Sequence, residues 1–292
     1  MNQEKILQAG KIAKEAREYA KSFIKKDMLL LEIAEKIEDK IIELGGKPAF
    51  PTNLSINDVA AHYTPSYNDE TKAHGLLKVD LGAHIDGNIS DTAFTIDLEN
   101  SEENKKLIQA SQEALANAIK NSKLNSSLNK VGKIVQETIE SYGFSPIINL
   151  SGHAMEEYDL HAGITIPNIE NQTNEILEKG LYAIEPFATT GSGKVRDGKP
   201  SGIYQLTNTK NIRSPNAREI LIFLEKEYQI LPFCSRWLVK KFGTKSLFAL
   251  KQLEENGNIH QYPQLIESSN KPVAQSEHTI LITDKETIIT TN

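Results

Sequence analysis

Between Leu76 and Ile96 apolar and polar residues alternate on either side of Asp86-Gly87, a dipeptide suited to the two-residue turn of a β-hairpin. With that pair as the turn, the register follows: Ile85 faces Asn88, Asp80 faces Ala93 and Gly82 faces Asp91. Because strand side chains alternate, Asp80 and Gly82 share a face, and Asp80 becomes the diagonal neighbour of Asp91, roughly 7 to 8 Å away at the backbone. Two carboxylates at that spacing can converge on one ion, with Gly82 leaving room. Val79, Leu81, Ala93 and Phe94 predict a central, partly buried hairpin, where an uncompensated carboxylate is costly. A solvent-facing hairpin with ordinary surface acids is the plainer reading of the same residues.

Helical spacing of apolar residues from Glu4 to Leu44 predicts two helices, the second ended by Gly45-Gly46. Ala49 to Pro65, with Pro51, Asn53, Asn57 and Pro65, reads as loop and short turns. Further helices are expected at about 103–122 and 127–143, then a short strand near Ile147, a polar turn at Ser151-Gly152-His153 and a strand at Leu181 to Pro186. Lys194 to Pro263 changes character, with helical stretches near 217–228, 235–241 and 246–256, and is read as an inserted helical subdomain (194–263) within a catalytic domain of 1–193 and 264–292. A hairpin around Asp284-Lys285 closes the chain, and no internal repeat is visible by eye.

At 292 residues the chain can bury a large core, and no apolar run approaches the roughly 20 residues needed to span a bilayer. Met1 to Lys5 leads into a charged amphipathic stretch unlike an export signal. A single cysteine, Cys234, offers neither an internal disulfide nor a thiolate cage, so a metal here must use His and carboxylates. A formal charge of -6 argues against global attraction to nucleic acid. Further candidate ligands do exist. His153 follows an apolar stretch, Glu185 stands inside Leu181-Tyr182-Ala183-Ile184-Glu185-Pro186-Phe187, and Glu277 lies at a strand edge. Four acids with one imidazole suit a pair of divalent ions such as Co, Mn, Fe or Zn, whereas purely oxygen sites favour Mg or Ca.

Lys78-Val79-Asp80-Leu81-Gly82, Asp86-Gly87 with Asp91-Thr92-Ala93, Leu150-Ser151-Gly152-His153, Leu160-His161-Ala162-Gly163-Ile164, Ile184-Glu185-Pro186-Phe187 and Ala274-Gln275-Ser276-Glu277-His278-Thr279 occur in that order. Together they resemble the type 2 methionine aminopeptidases, in the short archaeal form. The resemblance implies a pseudo-symmetric α/β (α+β) pita-bread fold, a curved antiparallel sheet backed by helices, with a winged-helix-like helical insertion. It implies two divalent ions, bridged by Asp91 and Glu277, with Asp80 chelating one and His153 and Glu185 completing the other. It gives catalytic roles to His62, His161 and Glu185. It lines the methionine pocket with Phe50, Leu160, Phe187 and Tyr262, beside the substrate-contacting His62 and His161. The implied partner is the N-terminus of nascent polypeptides, met by a cytoplasmic monomer in transient contact with ribosomes. Two other readings stay open: a proline-directed peptidase of the same fold, and an inactive relative that binds RNA through Arg213, Arg218, Arg236, Lys240, Lys241, Lys245 and Lys251.

Overall fold

A computed structural model describes residues 2–292, and Met1, the first residue of the charged leading stretch, lies outside them. The two N-terminal amphipathic stretches form α1 (Gln3–Phe23) and α2 (Leu30–Glu43). The side chain of Asn2 caps α1 by accepting from the backbone of Glu4 and Lys5, and Gly45 at φ 88 follows α2. Then come β1 (Lys47–Pro48), β2 (Asn53–Ile56), β3 (Val59–Ala61) and the long hairpin β4 (Leu76–Ile85) with β5 (Asn88–Asp97). Its register is the expected one, Asp80 opposite Ala93 and Gly82 opposite Asp91, and both turn residues have positive φ.

The segment 49–65 departs from expectation, since β2 pairs with β4 from Asn53↔Asp80 to Ile56↔Leu77. Its turn-forming residues are satisfied by the neighbouring strand: the Asn57 side chain accepts from the Leu76 backbone N–H at 2.9 Å.

The second half repeats the first. Helices α3 (Glu102–Asn121) and α4 (Leu128–Ser141) lead to β6 (Ser145–Pro146), β7 (Ser151–Met155), β8 (Thr165–Pro167), β9 (Gly180–Ile184) and β10 (Phe187–Thr189). Asp27 and Asn125 precede α2 and α4 at φ 67 and 65, and Gly45 and Gly143 follow them at φ 88 and 81; both pairs are offset by 98 positions. The repeat is invisible in the sequence because it conserves backbone conformation rather than residue identity. Ser151 to His153 is strand and not a turn. Gly152 marks a close approach here, because a Cβ would stand 2.3 Å from the Ala183 carbonyl oxygen.

The stretch expected to be helical is bounded by two long paired strands, β11 (Val195–Leu206) and, after α5 (Pro215–Glu227), β12 (Phe233–Cys234), α6 (Ser235–Phe242) and α7 (Lys245–Glu255), β13 (Ile259–Glu267). Gly198, Pro200 and Gly202 disguise β11, and the ladder shifts register on either side of Pro200 to accommodate them. Ile220, Leu224, Phe233, Leu238, Leu250 and Leu253 pack together beneath these helices. The chain ends in β14 (Val273–Gln275), β15 (Glu277–Ile282) and β16 (Thr287–Ile289), the last two forming the expected hairpin.

The principal sheet runs β1-β4-β5-β15-β9-β7-β8, with β2 on β4 and β16 on β15, and every pairing is antiparallel. Helices α1 and α2 cover one face through Ile12, Ala16, Ile33 and Ile37 against Leu77, Val79 and Leu81. On the same face, α3 and α4 pack Leu107, Ala114 and Val131 against Tyr182, Ile184 and Ile280. Alternation turns Asp80, Asp91 and Glu277 to the opposite face. Among the described residues no helix is long and apolar enough to cross a membrane.

Candidate metal centre

Five successive strands each deliver one chemically active side chain to that face: Asp80 from β4, Asp91 from β5, Glu277 from β15, Glu185 from the residue after β9, and His153 from β7. Strand pairing sets their alignment, with Glu277 opposite Ala93 and His153 opposite Ala183. Each of Asp91, His153 and Glu277 has a donor atom within 4.8 Å of the others, and all three are buried. His153 Nε2 lies 3.6 Å from Glu185 Oε1 and 3.8 Å from Asp91 Oδ2.

All four buried carboxylates are held above the ordinary carboxylate range. Desolvation lifts Asp80 to about 7, and desolvation with repulsion from the neighbouring acids holds Asp91, Glu185 and Glu277 well above the usual carboxylate range. Burial and the neighbouring His161 push the imidazole of His153 down to about 3, leaving it neutral with a free lone pair for a cation. Asp80 Oδ1 and Asp91 Oδ1 are buried with no hydrogen-bond partner. Orphaned oxygens, crowded carboxylates and a neutral imidazole fit divalent ions, which supply the missing partners and reverse the pKa elevation.

Every expected site residue lines one cavity of about 200 Å³: the five candidate ligands, His62, His161, Phe50, Leu160, Phe187 and Tyr262. The His161 ring stands 4.4 Å from that of His153 at the cavity rim, and the His62 ring lies 5.5 Å from Tyr262. His62 itself has φ 63, and burial together with His161 lowers its pKa to about 4. The room beside Asp91 that Gly82 creates is taken by Phe50, since a Cβ at Gly82 would lie 2.4 Å from Phe50 Cε1 and 3.0 Å from the Ser90 carbonyl oxygen. Gly82→Ala should therefore displace the ring, costing about 1 to 3 kcal/mol in urea unfolding and raising KM for a substrate bound in this cavity about tenfold.

Several participants escaped the sequence reading. Gln275 donates to Glu185 Oε2 at 3.4 Å. The Thr279 hydroxyl accepts from the Asp91 N–H and donates to the Asp91 carbonyl, both at 2.7 Å, which fixes that strand's position. The alternation Gln275, Glu277, Thr279 was the available signal. Ile203 and Pro232, from the segment between β10 and β14, complete the cavity wall, and nothing in the sequence marks them.

Metallopeptidase family M24 matches residues 4–284. The chain is 50% identical over 291 residues to a methionine aminopeptidase of Methanocaldococcus jannaschii, covering 99% of this chain and 98% of that one. It is 45% identical to one of Pyrococcus abyssi, with both chains fully covered. Among solved structures, a methionine aminopeptidase of Thermotoga maritima superposes with TM-score 0.72 at 24% identity, over 100% and 98% of the two chains. A prolidase of Pyrococcus furiosus gives TM-score 0.63 at 19% identity, over 99% of this chain and 63% of that one. At such identities the solved structures show the fold alone, whereas the full-length match to the family and its archaeal relatives places this chain in metallopeptidase family M24, among the methionine aminopeptidases.

Proposed function

We propose that the chain removes the initiator methionine from nascent proteins whose second residue is small, using two divalent ions held by Asp80, Asp91, His153, Glu185 and Glu277. The observation that carries this reading is the delivery of one ligand-type side chain by each of five adjacent strands onto a single cavity. When bound, such ions supply a water acidic enough to ionise near neutral pH and polarise the first peptide carbonyl. Asp91 and Glu277, on the neighbouring strands β5 and β15, would hold both ions, Asp80 would help hold one, and His153 with Glu185 would help hold the other. Glu185, oriented by Gln275, takes the proton of the attacking water and delivers it to the leaving nitrogen. His161 donates to the developing oxyanion, and His62 contacts the substrate near its second residue. Both rings have depressed pKa values, so each meets the substrate as a neutral donor.

The side chain of methionine is unbranched and polarizable, and Phe50, Leu160, Phe187 and Tyr262 offer it apolar walls. Hydrolysis of Met-Ala-Ser by protein of analysed metal content is the direct test, and no turnover at two ions per chain would defeat the reading. His62→Ala should lower kcat/KM by roughly 100-fold at unchanged metal content. An unchanged value would take His62 out of the substrate site.

Residues 194–263 are taken as an inserted subdomain, supported by their own packed cluster. We place the enzyme in the cytoplasm as a monomer in transient contact with ribosomes, because its substrate emerges there. The RNA-binding alternative loses support from the fate of its basic residues. Arg236 is buried on Glu38, while Lys240 lies 3.8 Å from Asp39 and Lys251 lies 3.9 Å from Glu255. Relatives at 41% to 50% identity carry the name methionine aminopeptidase, which favours that activity over a proline-directed one.

A further inference from the structure

The cavity has two walls that come from distant parts of the chain. Phe50 and His62 belong to the segment between β1 and β4, while Ile203, Pro232 and Tyr262 belong to the segment between β10 and β14. Nothing covalent sets the distance between these walls. Backbone pairing of β13 with β3, Leu265 opposite Ala61, joins them on one side, and one buried side-chain cluster ties them together on the other.

Glu38, in α2, is 5% exposed and Arg236, in α6, is 3% exposed. Arg236 donates from Nη1 to Glu38 Oε2 at 2.5 Å and from Nη2 to Glu38 Oε1 at 2.9 Å, a two-pronged pair. Glu38 Oε1 also accepts the Thr52 N–H at 3.1 Å, two residues after Phe50. Arg236 Nε donates to the Pro65 carbonyl at 3.2 Å, and Nη2 lies 3.3 Å from the Thr64 hydroxyl, two residues after His62. The Thr64 hydroxyl in turn donates to the Thr52 carbonyl at 2.9 Å. The segment bearing Phe50 and His62 is thereby clipped near both ends.

On the other side, Arg236 stands two residues beyond β12, which pairs Cys234 with Ile203, and four beyond Pro232. Trp237 Nε1 donates to Glu38 Oε2 at 2.8 Å and adds a second tether. Behind the pair lies a cavity of about 540 Å³ bordered by Ile42, Tyr228 and Trp237. Packing does not close that side, so there the directional hydrogen bonds complete the alignment that the β13–β3 ladder sets on the other side.

We infer that Glu38 and Arg236 are positioning residues that set the spacing between the two walls of the substrate pocket and thereby its selectivity for the first side chain. The inference rests on the reading of this cavity as the substrate pocket. A buried ion pair replaced whole by apolar residues of similar size commonly leaves the fold intact, whereas removing one partner strands a buried charge. The informative variant is therefore the double substitution Glu38→Leu with Arg236→Met, which keeps volume and abolishes the tethers to Thr52, Thr64 and Pro65.

The test measures kcat/KM of the metal-loaded full chain on a set of Xaa-Ala-Ser peptides with Xaa Met, Leu, norleucine, Phe and Ala. For the double variant we expect unchanged metal content and a wild-type advantage for the preferred residue reduced at least tenfold, mostly through KM. Thr64→Val, which removes only the hydroxyl between the clamp and Thr52, should reduce that advantage a few-fold. It also provides the readout should the double variant not fold. Retention of the full wild-type advantage by folded, metal-loaded variants would overturn the inference, whichever residue the wild type prefers. A wild type that does not favour Met would instead overturn the proposed function, so the two failures are separable.

Discussion

Asp91→Asn should lower turnover of a methionyl peptide by roughly 10³-fold or more, the loss of about 4 kcal/mol or more of transition-state stabilisation, without destabilising the metal-free fold. Asp91 lies on β5 between the strands bearing Asp80 and Glu277, and all three carboxylates are pushed above their ordinary pKa. In the absence of a cation the cluster is a source of repulsion, so an amide of the same shape relieves it. The expected signature is therefore opposite in sign for two measurements: activity and metal content fall, while the melting temperature of the stripped protein holds or rises. Glu277→Gln should behave alike. A purely structural Asp91 would give the reverse, a lowered melting temperature with turnover in proportion to folded protein. Near-normal kcat in either variant would defeat the bridging assignment.

How far such a site can be read from sequence depends on what kind of geometry fixes it. The Asp80–Asp91 diagonal was legible because a two-residue turn determines register by counting, and the structure keeps that register over all ten pairs. Glu185 and Glu277 were legible as acids in apolar surroundings, and His153 as a polar residue in a motif carried by resemblance. Strand order was not legible. Pairing of β15 between β5 and β9 joins residues nearly two hundred positions apart, and local pattern carries no information on that choice. The strand β11 was missed for a different reason. Gly198, Pro200 and Gly202 argue for turns, and only the long pairing with β13 makes bulges there tolerable. Segment 49–65 was missed because its strands are short and its asparagines bond to neighbours that sequence does not reveal. The Glu38–Arg236 pair was hidden by composition, since a charged residue on a surface helix and another in a basic stretch look alike whether solvated or buried.

Removing the metal should make stability fall as the pH rises from about 7.5 to 8.5. Two sets of groups oppose each other at lower pH. His62, His84 and His278 are lowered to about 4 and His153 to about 3, so their contribution is present above the unfolded value near 6.5 and is lost as the pH drops toward the folded values. The carboxylates have the other sign. Asp80 at about 7, with Asp91, Glu185 and Glu277 raised well above the usual range, contributes stability that is fully present below the unfolded value near 4 and is lost as the pH rises through the folded values. Above about 7.5 the histidines are neutral in both states, and the single proton that buried Lys78, lowered to about 7, gives up in the fold is outnumbered by those that Asp91, Glu185 and Glu277 hold. Each proton held in excess by the folded state then costs about 1.4 kcal/mol per pH unit, roughly 2 to 4 °C in melting temperature for a chain of this size. Added divalent ions need the carboxylates ionised, so binding releases protons, and an excess of a thousandfold over Kd stabilises by about 4 kcal/mol. Chelation should therefore abolish turnover at every pH, and restoring ions should raise the melting temperature more at pH 8 than at pH 6. A stripped protein whose melting temperature rises from about pH 7.5 to 8.5 would show that the four carboxylates do not crowd one another, and the metal centre would lose its electrostatic basis.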